Sequence, residues 1–402
     1  MSDNNQNNLN IIEKIIRTGI KSFSPENIIK KINFKKFKLE KFNNIYLIGF
    51  GKGSSALAKE IKSKVKIKKE LIIDVENFGN NPKSTTIGTH PLPSKKNILA
   101  TKKIIDICEH AKENDLIITL VCGGGSALLT DPINPLKNTQ NIYYKLINSG
   151  ATIKEINIVR AHLDQIKGGG LAKISYPANI ISFIVSDVPN NNLETIASGP
   201  TVINNTTVDD AKLILNYYKI NFKNIKFQET IKDSKIFSKT NNYIIADNKL
   251  LMEKISEVAN KFNFNIIIGK NNLNESPENT IKYLVRTCTD NSILLAAGEA
   301  KFKVNKNHGI GGRNTQLAAL ALKYLKPGMI FASIASDGHD NSDAAGAIVD
   351  YETIVKCKNM KINIDKYINN FDTFNLFKKS GNLLFTGKLP INVSDLYLVL
   401  KK

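Results

Sequence analysis

Cysteine, arginine and long apolar runs are all scarce in this sequence, and each scarcity excludes a class of protein. The four cysteines, Cys108, Cys122, Cys288 and Cys357, stand far apart and form no Cys-x-x-Cys pair. Neither a disulfide framework nor a zinc site is indicated, which points to a reduced, cytoplasmic chain. No apolar run approaches the roughly 18 residues that span a bilayer. The most apolar stretch, residues 178–185, is short and interrupted by Ser182. The opening residues 1–10 are polar and asparagine-rich, without the basic start and apolar middle of a secretory signal. Arginine occurs only as Arg17, Arg160, Arg286 and Arg313.

What is abundant is lysine. It carries nearly all of the net charge of +20, a value that invites a nucleic-acid reading because cations that neutralise phosphates bind without sequence preference. The lysines are scattered, however, and the densest cluster, residues 59–69, has no interleaved aromatics on which bases could stack. A solvated lysine surface is the simpler account, and no nucleic-acid partner is expected. Such a field still attracts small anionic substrates. With 42% apolar and 23% charged residues the composition is globular. At roughly 150 residues per domain, 402 residues predict two or three domains.

Apolar residues at helical spacing predict an opening helix over residues 9–23. A repeated pattern follows: a short apolar run, a glycine-rich turn, then a segment with helical character. The runs at 45–48, 71–73, 116–121 and 179–185 predict strands of one α/β series. Glycine punctuation stops around residues 204–242, which reads as a boundary. A second series is predicted at 243–246, 265–268, 293–297 and 329–334, with a short pair near Leu383 and Leu396. The fold class is therefore α/β: mostly parallel sheets in two lobes, with a shared cleft expected between them.

Chemistry concentrates in the turns. Gly51-x-Gly53-x-x-Ala56 fits the dinucleotide fingerprint, and Asp74 ends the next strand near the position of a ribose-binding acid. Lys52 would add a mobile positive charge to a helix N-terminus already suited to anions. Gly123, Gly124, Gly125 and Ser126 occupy the corresponding place after another strand, where converging amides and a hydroxyl can hold a phosphate. Cys122 and His162 read as structural. Asn157 and Arg160 lie one helical turn apart, with Lys167 at the helix exit before three glycines. Asp187 sits where the 179–185 strand ends, placed to bind Mg²⁺ or take a proton from a hydroxyl, with helix capping as its alternative.

In the second half Glu299 also ends a strand. Arg313 stands in a glycine-rich turn, and its planar fork can grip carboxylate or phosphate in two-pronged fashion. Asp337, Asp340 and Asp343 follow the 329–334 strand and could hold a hard cation or simply form a turn. Several anion-suited turns with cationic side chains and strand-end carboxylates suit phosphoryl transfer, which needs charge stabilisation and an oriented nucleophile.

At these residues the chain resembles the glycerate 2-kinases that carry a MOFRL C-terminal domain. The matching motifs are GFGKGSSALA at Gly49, GTHPLPS at Gly88, CGGGSALL at Cys122 and INIVRAHL with KGGGLA from Ile156. SDVPNNNLETIASGPT at Ser186, GIGGRN at Gly309 and SDGHDNSDAAGAIVD at Ser336 continue the series in order. The resemblance implies a Rossmann-like domain over 8–238 and a smaller MOFRL-type α/β domain over 239–402. It implies transfer of the ATP γ-phosphate to the 2-hydroxyl of D-glycerate, with ATP and Mg²⁺ required and a homodimer admitted. Lys52, Arg313, Asp187 and Asp337 are the implied catalytic set, the two aspartates also serving the metal. Gly51, Gly53, Gly123, Gly124, Gly125 and Ser126 would hold the nucleotide. Asn157, Arg160, Lys167 and Glu299 would bind substrate. The sequence departs from the family pattern at Gln316, at Ala161 and over residues 387–391. Some similar proteins are called hydroxypyruvate reductases, so an NAD(P)H-dependent reductase is the alternative.

Overall fold

A computed structural model describes residues 3–304 and 307–402; Met1 and Ser2 of the polar opening lie outside the described residues. The chain forms two compact units. One comprises Pro25–Ile245; the other combines the residues up to Ser24 with Ala246–Lys402.

The first unit is built on a six-stranded sheet of β1 (Asn44–Phe50), β2 (Lys69–Asp74), β3 (Thr85–Ile87), β4 (Asp115–Val121), β5 (Asn179–Val185) and β6 (Thr240–Ala246). Their spatial order is β3-β2-β1-β4-β5-β6, and the pairings among β1 to β5 are all parallel. Every residue of β4 is buried, as expected of a central parallel strand covered on both faces. Ile48, Phe50, Ile117, Val121, Ile180 and Ile184 join the core on the face covered by the helices Lys95–His110 and Gly170–Ser175. A satellite core of Ile142, Tyr143, Leu146, Val159 and Leu215 ties together the helices Leu136–Asn148, Ile153–His162 and Val208–Tyr217. Strand order reverses between β1 and β4, so the chain leaves those two adjacent strands in opposite lateral directions. Ligands of open α/β sheets bind at such switch points, outside the carboxyl ends of the strands.

The second unit carries β7 (Asn265–Ile268), β8 (Ser292–Gly298), β9 (Met329–Ala335), β10 (Gly346–Asp350), β11 (Leu383–Leu384) and β12 (Asp395–Lys401). Their order is β11-β10-β9-β12-β8-β7. Only β7 pairs parallel with its neighbour; β12 enters between β8 and β9 and runs antiparallel to both. The sheet is therefore mixed. Leu294, Ala296, Phe331, Val349, Tyr397 and Val399 meet helix residues Leu317 and Phe377 in its core.

The two α/β series read from the sequence are present, with corrections at the boundary. Strand β6, which the spacing assigned to the second series, instead extends the first sheet beyond β5. The opening helix, Asp3–Ser22, belongs to the unit of the C-terminal half. The expected limits of 8–238 and 239–402 thus become Pro25–Ile245 and a unit assembled from both ends of the chain. The physical reason is packing. Buried Ile12, Ile15 and Ile16 give the opening helix an apolar face, and Gly19 lets its backbone approach the helix Asn248–Ala259, because a Cβ there would collide with Ile255. Sequence periodicity marks the apolar face but not the surface it meets.

Substituting Gly19→Ala should overpack this contact and lower the unfolding free energy by about 1–3 kcal/mol. A urea midpoint indistinguishable from the unsubstituted protein would show that the two helices do not need this close approach.

Candidate active site

The turn after β1 is shaped by contact with the turn after β4. Gly51 has φ +112°, and a Cβ on it would collide with the Cys122 carbonyl. Its N–H donates to Ile73 O at 3.1 Å, and the Lys52 N–H donates to Gly123 O at 2.8 Å. The Gly53 N–H donates to Asp74 Oδ1 at 3.1 Å, while the Ser55 N–H and Oγ donate to Asp74 Oδ2 at 3.0 and 2.8 Å. Asp74 is fully buried. Burial pushes its carboxyl above the usual range, against the pull of these hydrogen bonds.

Those bonds correct two sequence readings. The N-terminus of the helix Ser54–Lys62 is occupied by the protein's own carboxylate, so the Gly51 and Gly53 amides shape the turn and are not donors for a phosphate. Asp74 is consumed in the same contact, and a ribose hydroxyl cannot claim it. What the turn presents is Lys52. Its side chain is half-buried, and its ammonium makes no ion pair or hydrogen bond among the described residues.

The turn after β4 gathers more of the predicted residues. Gly124 adopts φ +78°. A Cβ on Gly123 would collide with Asp187 Oδ2, which places that carboxylate directly against the turn. Ser198 Oγ lies 2.9 Å from both Ser126 Oγ and Asn157 Oδ1, and Asn157 Nδ2 donates to Thr195 O at 3.0 Å. Ala197 and Ser198 hold left-handed backbone, with φ of +51° and +62°, a conformation that costs non-glycine residues energy and collects at functional sites. Ser198 went unrecognised in the sequence because its role comes from this loop folding back onto Gly125 and Ser126.

Arg160 is the unusual charge of the unit. It is 7% exposed, its Nη1 lies 3.4 Å from Asn157 Oδ1, and its guanidinium stands 5.1 Å from the centroid of the Tyr143 ring. Its Nε has no hydrogen-bond partner, and no carboxylate forms an ion pair with it among the described residues. Burial lowers its affinity for the proton, opposed by Tyr143 and Asp164 at longer range. A buried cation without a counter-ion is costly unless a ligand supplies one.

Lys167 shows the contrasting arrangement and corrects its assignment to substrate. Its ammonium donates to Leu129 O at 2.7 Å and pairs with Asp164 Oδ2 at 3.3 Å, with both side chains fully buried. Asp164 is held further by the Thr130 hydroxyl and the Asp131 N–H. This is an internal strut. His162 is likewise structural, its ring nitrogens 2.7 Å from Gln228 O and 3.0 Å from Thr206 Oγ1. Cys122 is buried, and burial raises its thiol well above the usual value, so it packs and does not attack.

In the other unit, Arg313 opens the helix Arg313–Ala321. Its Nε donates to Asp395 Oδ2 at 3.0 Å and its Nη1 to Glu299 Oε2 at 2.8 Å. Glu299 therefore holds the arginine. Asp395, at the start of β12, was absent from the sequence reading because nothing in its neighbourhood marks it. It is buried, and its second oxygen accepts from Asn314 Nδ2 at 2.9 Å. Burial pushes its carboxyl up to about 7, opposed by the Arg313 charge. The two carboxylates raise the arginine's affinity for its proton despite burial. The side chain of Arg313 stays 43% exposed, so the guanidinium is clamped on one edge and open on the other.

Asp340 caps the same helix, accepting from the Asn314 and Thr315 N–H groups at 2.9 and 2.8 Å. It is a cap, and the metal reading fails for it. Asp337 accepts from the His339 N–H at 3.1 Å, and its carbonyl accepts from the Leu389 N–H at 2.8 Å. The divergent 387–391 segment thus braces this turn. Gln316 is buried and donates to Ile368 O at 2.8 Å, away from any acid–base role. Among the described residues, no three His, Cys, Asp or Glu side chains cluster to hold a metal, and no helix is long and apolar enough to cross a membrane.

Fold and geometry together define an α/β protein in which the turns at the switch point of its parallel sheet carry Lys52, Ser126 and the neighbouring Asp187. Residues 11–231 match the family model described as a domain of unknown function, DUF4147, and residues 292–395 match the MOFRL family. A protein named D-glycerate 2-kinase from Thermotoga maritima is 32% identical over 96% of each chain. One named putative hydroxypyruvate reductase from Agrobacterium vitis is 30% identical over 88% of this chain and 86% of its own. The crystal structure of a glycerate kinase from Thermotoga maritima superposes with a TM-score of 0.89 at 28% identity, covering 99% of this chain and all of the other. The chain belongs to the glycerate 2-kinase family built from DUF4147 and MOFRL domains.

Replacing Lys167 by Met should leave Asp164 buried without its cation and lower stability by about 3–5 kcal/mol. The folded fraction should keep its KM for substrate. A stable Lys167→Met protein with a strongly raised KM would return Lys167 to the substrate site.

Proposed function

We propose that this chain transfers the γ-phosphoryl group of ATP to the 2-hydroxyl of D-glycerate, giving 2-phosphoglycerate. The observation that carries the reading is the buried Arg160 guanidinium, without an ion pair among the described residues and held at Asn157, which Ser198 links on to Ser126. Both substrates are anions, and either supplies the missing counter-charge. The relatives named as glycerate kinases support the choice of substrate.

Each residue contributes through binding or charge. Lys52 follows the incoming negative charge from a turn that the Gly123 carbonyl and Asp74 hold in place. Ser126, oriented by Ser198, offers a hydroxyl, and Arg160 neutralises an oxyanion. Asp187 accepts the proton of the 2-hydroxyl or serves the metal. Arg313, fixed by Glu299 and Asp395, presents its open edge to phosphate or carboxylate. Such preorganised charges stabilise the charge that spreads in a phosphoryl-transfer transition state.

A magnesium ion fits this donor set. Kinase magnesium is commonly held by one or two carboxylates together with phosphate oxygens and water, and Asp187, a hard oxygen donor directly against Gly123, meets that need in its unit. Asp337 is the corresponding donor in the other. When bound, the ion would shield the phosphate oxygens. A cytoplasmic location and a homodimer belong to the same proposal. The reductase reading is disfavoured because Asp74, the acid it requires for the ribose, is spent on Gly53 and Ser55.

Incubation with D-glycerate and Mg-ATP should release ADP in a glycerate-dependent manner, and hydroxypyruvate should not oxidise NADH or NADPH. The opposite pair of results would replace the kinase by the reductase. In the same assay Lys52→Ala should lower kcat by about 10²–10³-fold; turnover within a few-fold of the unsubstituted enzyme would remove Lys52 from the mechanism.

A further inference from the structure

One side chain at the switch-point site has no role in the account above. His90 lies against the turn after β4: a Cβ built on Gly124 would stand 3.0 Å from its Cδ2 and 3.3 Å from its Nε2. The residue keeps part of its surface exposed while one side of the ring is covered by the Gly124 turn, and neither ring nitrogen has a hydrogen-bond partner among the described residues. His162, by contrast, satisfies both of its nitrogens. An imidazole packed on a glycine turn with two unused nitrogens is placed to meet a ligand.

The charges around it identify that ligand's chemistry. Lys52, in the turn after β1, and Arg160, in the helix Ile153–His162, are near enough for their charges to act on the ring. Asp187, from the end of β5, lies on the Gly123 side of the same turn, and Cys122 beneath is a neutral thiol. Two cations, one of them buried and without an ion pair among the described residues, act on a neutral ring that could itself become a third. An arriving oxyanion reverses the local balance: it satisfies Arg160, offsets the desolvation and the cationic repulsion that together keep the imidazole unprotonated, and can accept an N–H from it.

We propose that His90 is a direct ligand of the substrate oxyanion that occupies this site beside Lys52 and Arg160, and that it takes up a proton as the anion binds. The shared chemistry is a carboxylate or phosphate group, supplied by the glycerate carboxylate or by a phosphate of the nucleotide. In the empty protein the surrounding turn desolvates the ring, and with Lys52 and Arg160 this holds it down at about 4. At pH 5–6 the empty site therefore carries neutral His90, and binding draws a proton from solution. The proposal rests on the kinase reading only for which anion arrives.

Titration calorimetry on the whole protein at pH 5.5, repeated in buffers of different ionisation enthalpy, measures affinity and proton uptake together. The probes are D-glycerate, inorganic phosphate and ADP, against the unsubstituted protein, His90→Ala and His90→Gln. The expected result is a loss of at least tenfold in affinity for one probe in both variants, with loss of most of the proton taken up per anion. Thermal midpoints of the empty proteins should stay unchanged, since the ring holds nothing internally. A loss confined to D-glycerate assigns the carboxylate; a loss for phosphate or ADP assigns the phosphoryl group. Binding of all three probes within twofold of the unsubstituted protein, or unaltered proton uptake, overturns the role of His90. Glycerate-dependent ADP release by the unsubstituted protein checks the kinase reading separately.

Discussion

The absence of a side chain at Gly51 is the constraint on which the first unit's site depends. Only hydrogen at that position lets the turn after β1 lie against the Cys122 carbonyl, and only then does the Lys52 N–H reach Gly123 O. Two turns leaving adjacent parallel strands in opposite directions are thereby fastened into one surface. Lys52 is delivered from one side, and Ser126, Asp187 and His90 gather around the other. A Cβ at Gly51 would separate the turns and scatter the charges, whatever became of the individual side chains.

Buried charge is used in two different ways within about ten residues of chain. Lys167 is fully enclosed with Asp164, whose oxygens are further satisfied by Thr130 and Asp131. That arrangement is complete and asks nothing of a ligand. Arg160 is nearly as buried, yet it has an amide oxygen, an aromatic face and an unpartnered Nε in place of a carboxylate. The protein keeps this guanidinium desolvated and incompletely satisfied, and in low dielectric an oxyanion gains far more from such a group than from a surface lysine. The overall charge of +20 matters less than this one arginine, which has no ion pair among the described residues.

Carboxylates show a parallel division of labour. Asp74 and Asp340 sit in different units and do the same work, each binding the first amides of a helix that follows a glycine-rich turn. In both places a helix N-terminus that resembles an anion site in sequence is filled internally. What the capped turn leaves partly exposed is the side chain it projects: Lys52 in one unit, Arg313 in the other. Arg313 is held more firmly, because Asp395 and Glu299 fix two of its nitrogens and so restrict the rotation of a long side chain. This lowers the conformational entropy that binding would otherwise have to overcome.

Apolar runs such as 116–121 and 179–185 and the glycine turns after them were legible from the sequence alone, and Lys52, Arg160, Asp187 and Arg313 could be singled out there as candidates. They are local signals: strand-length burial, backbone permissiveness, and rare arginines in unusual settings. Tertiary structure decided what each group is used for. It turned Asp74 inward as a cap, sealed Lys167 against Asp164, sent Gln316 to the Ile368 carbonyl, and brought His90, Ser198 and Asp395 to sites their neighbours in sequence do not announce. It also carried the opening helix to the unit of the C-terminal half and added β6 to the first sheet. Side-chain chemistry is written residue by residue, whereas availability depends on which donors and acceptors folding has already brought together. That pairing is non-local, and only the folded chain determines it.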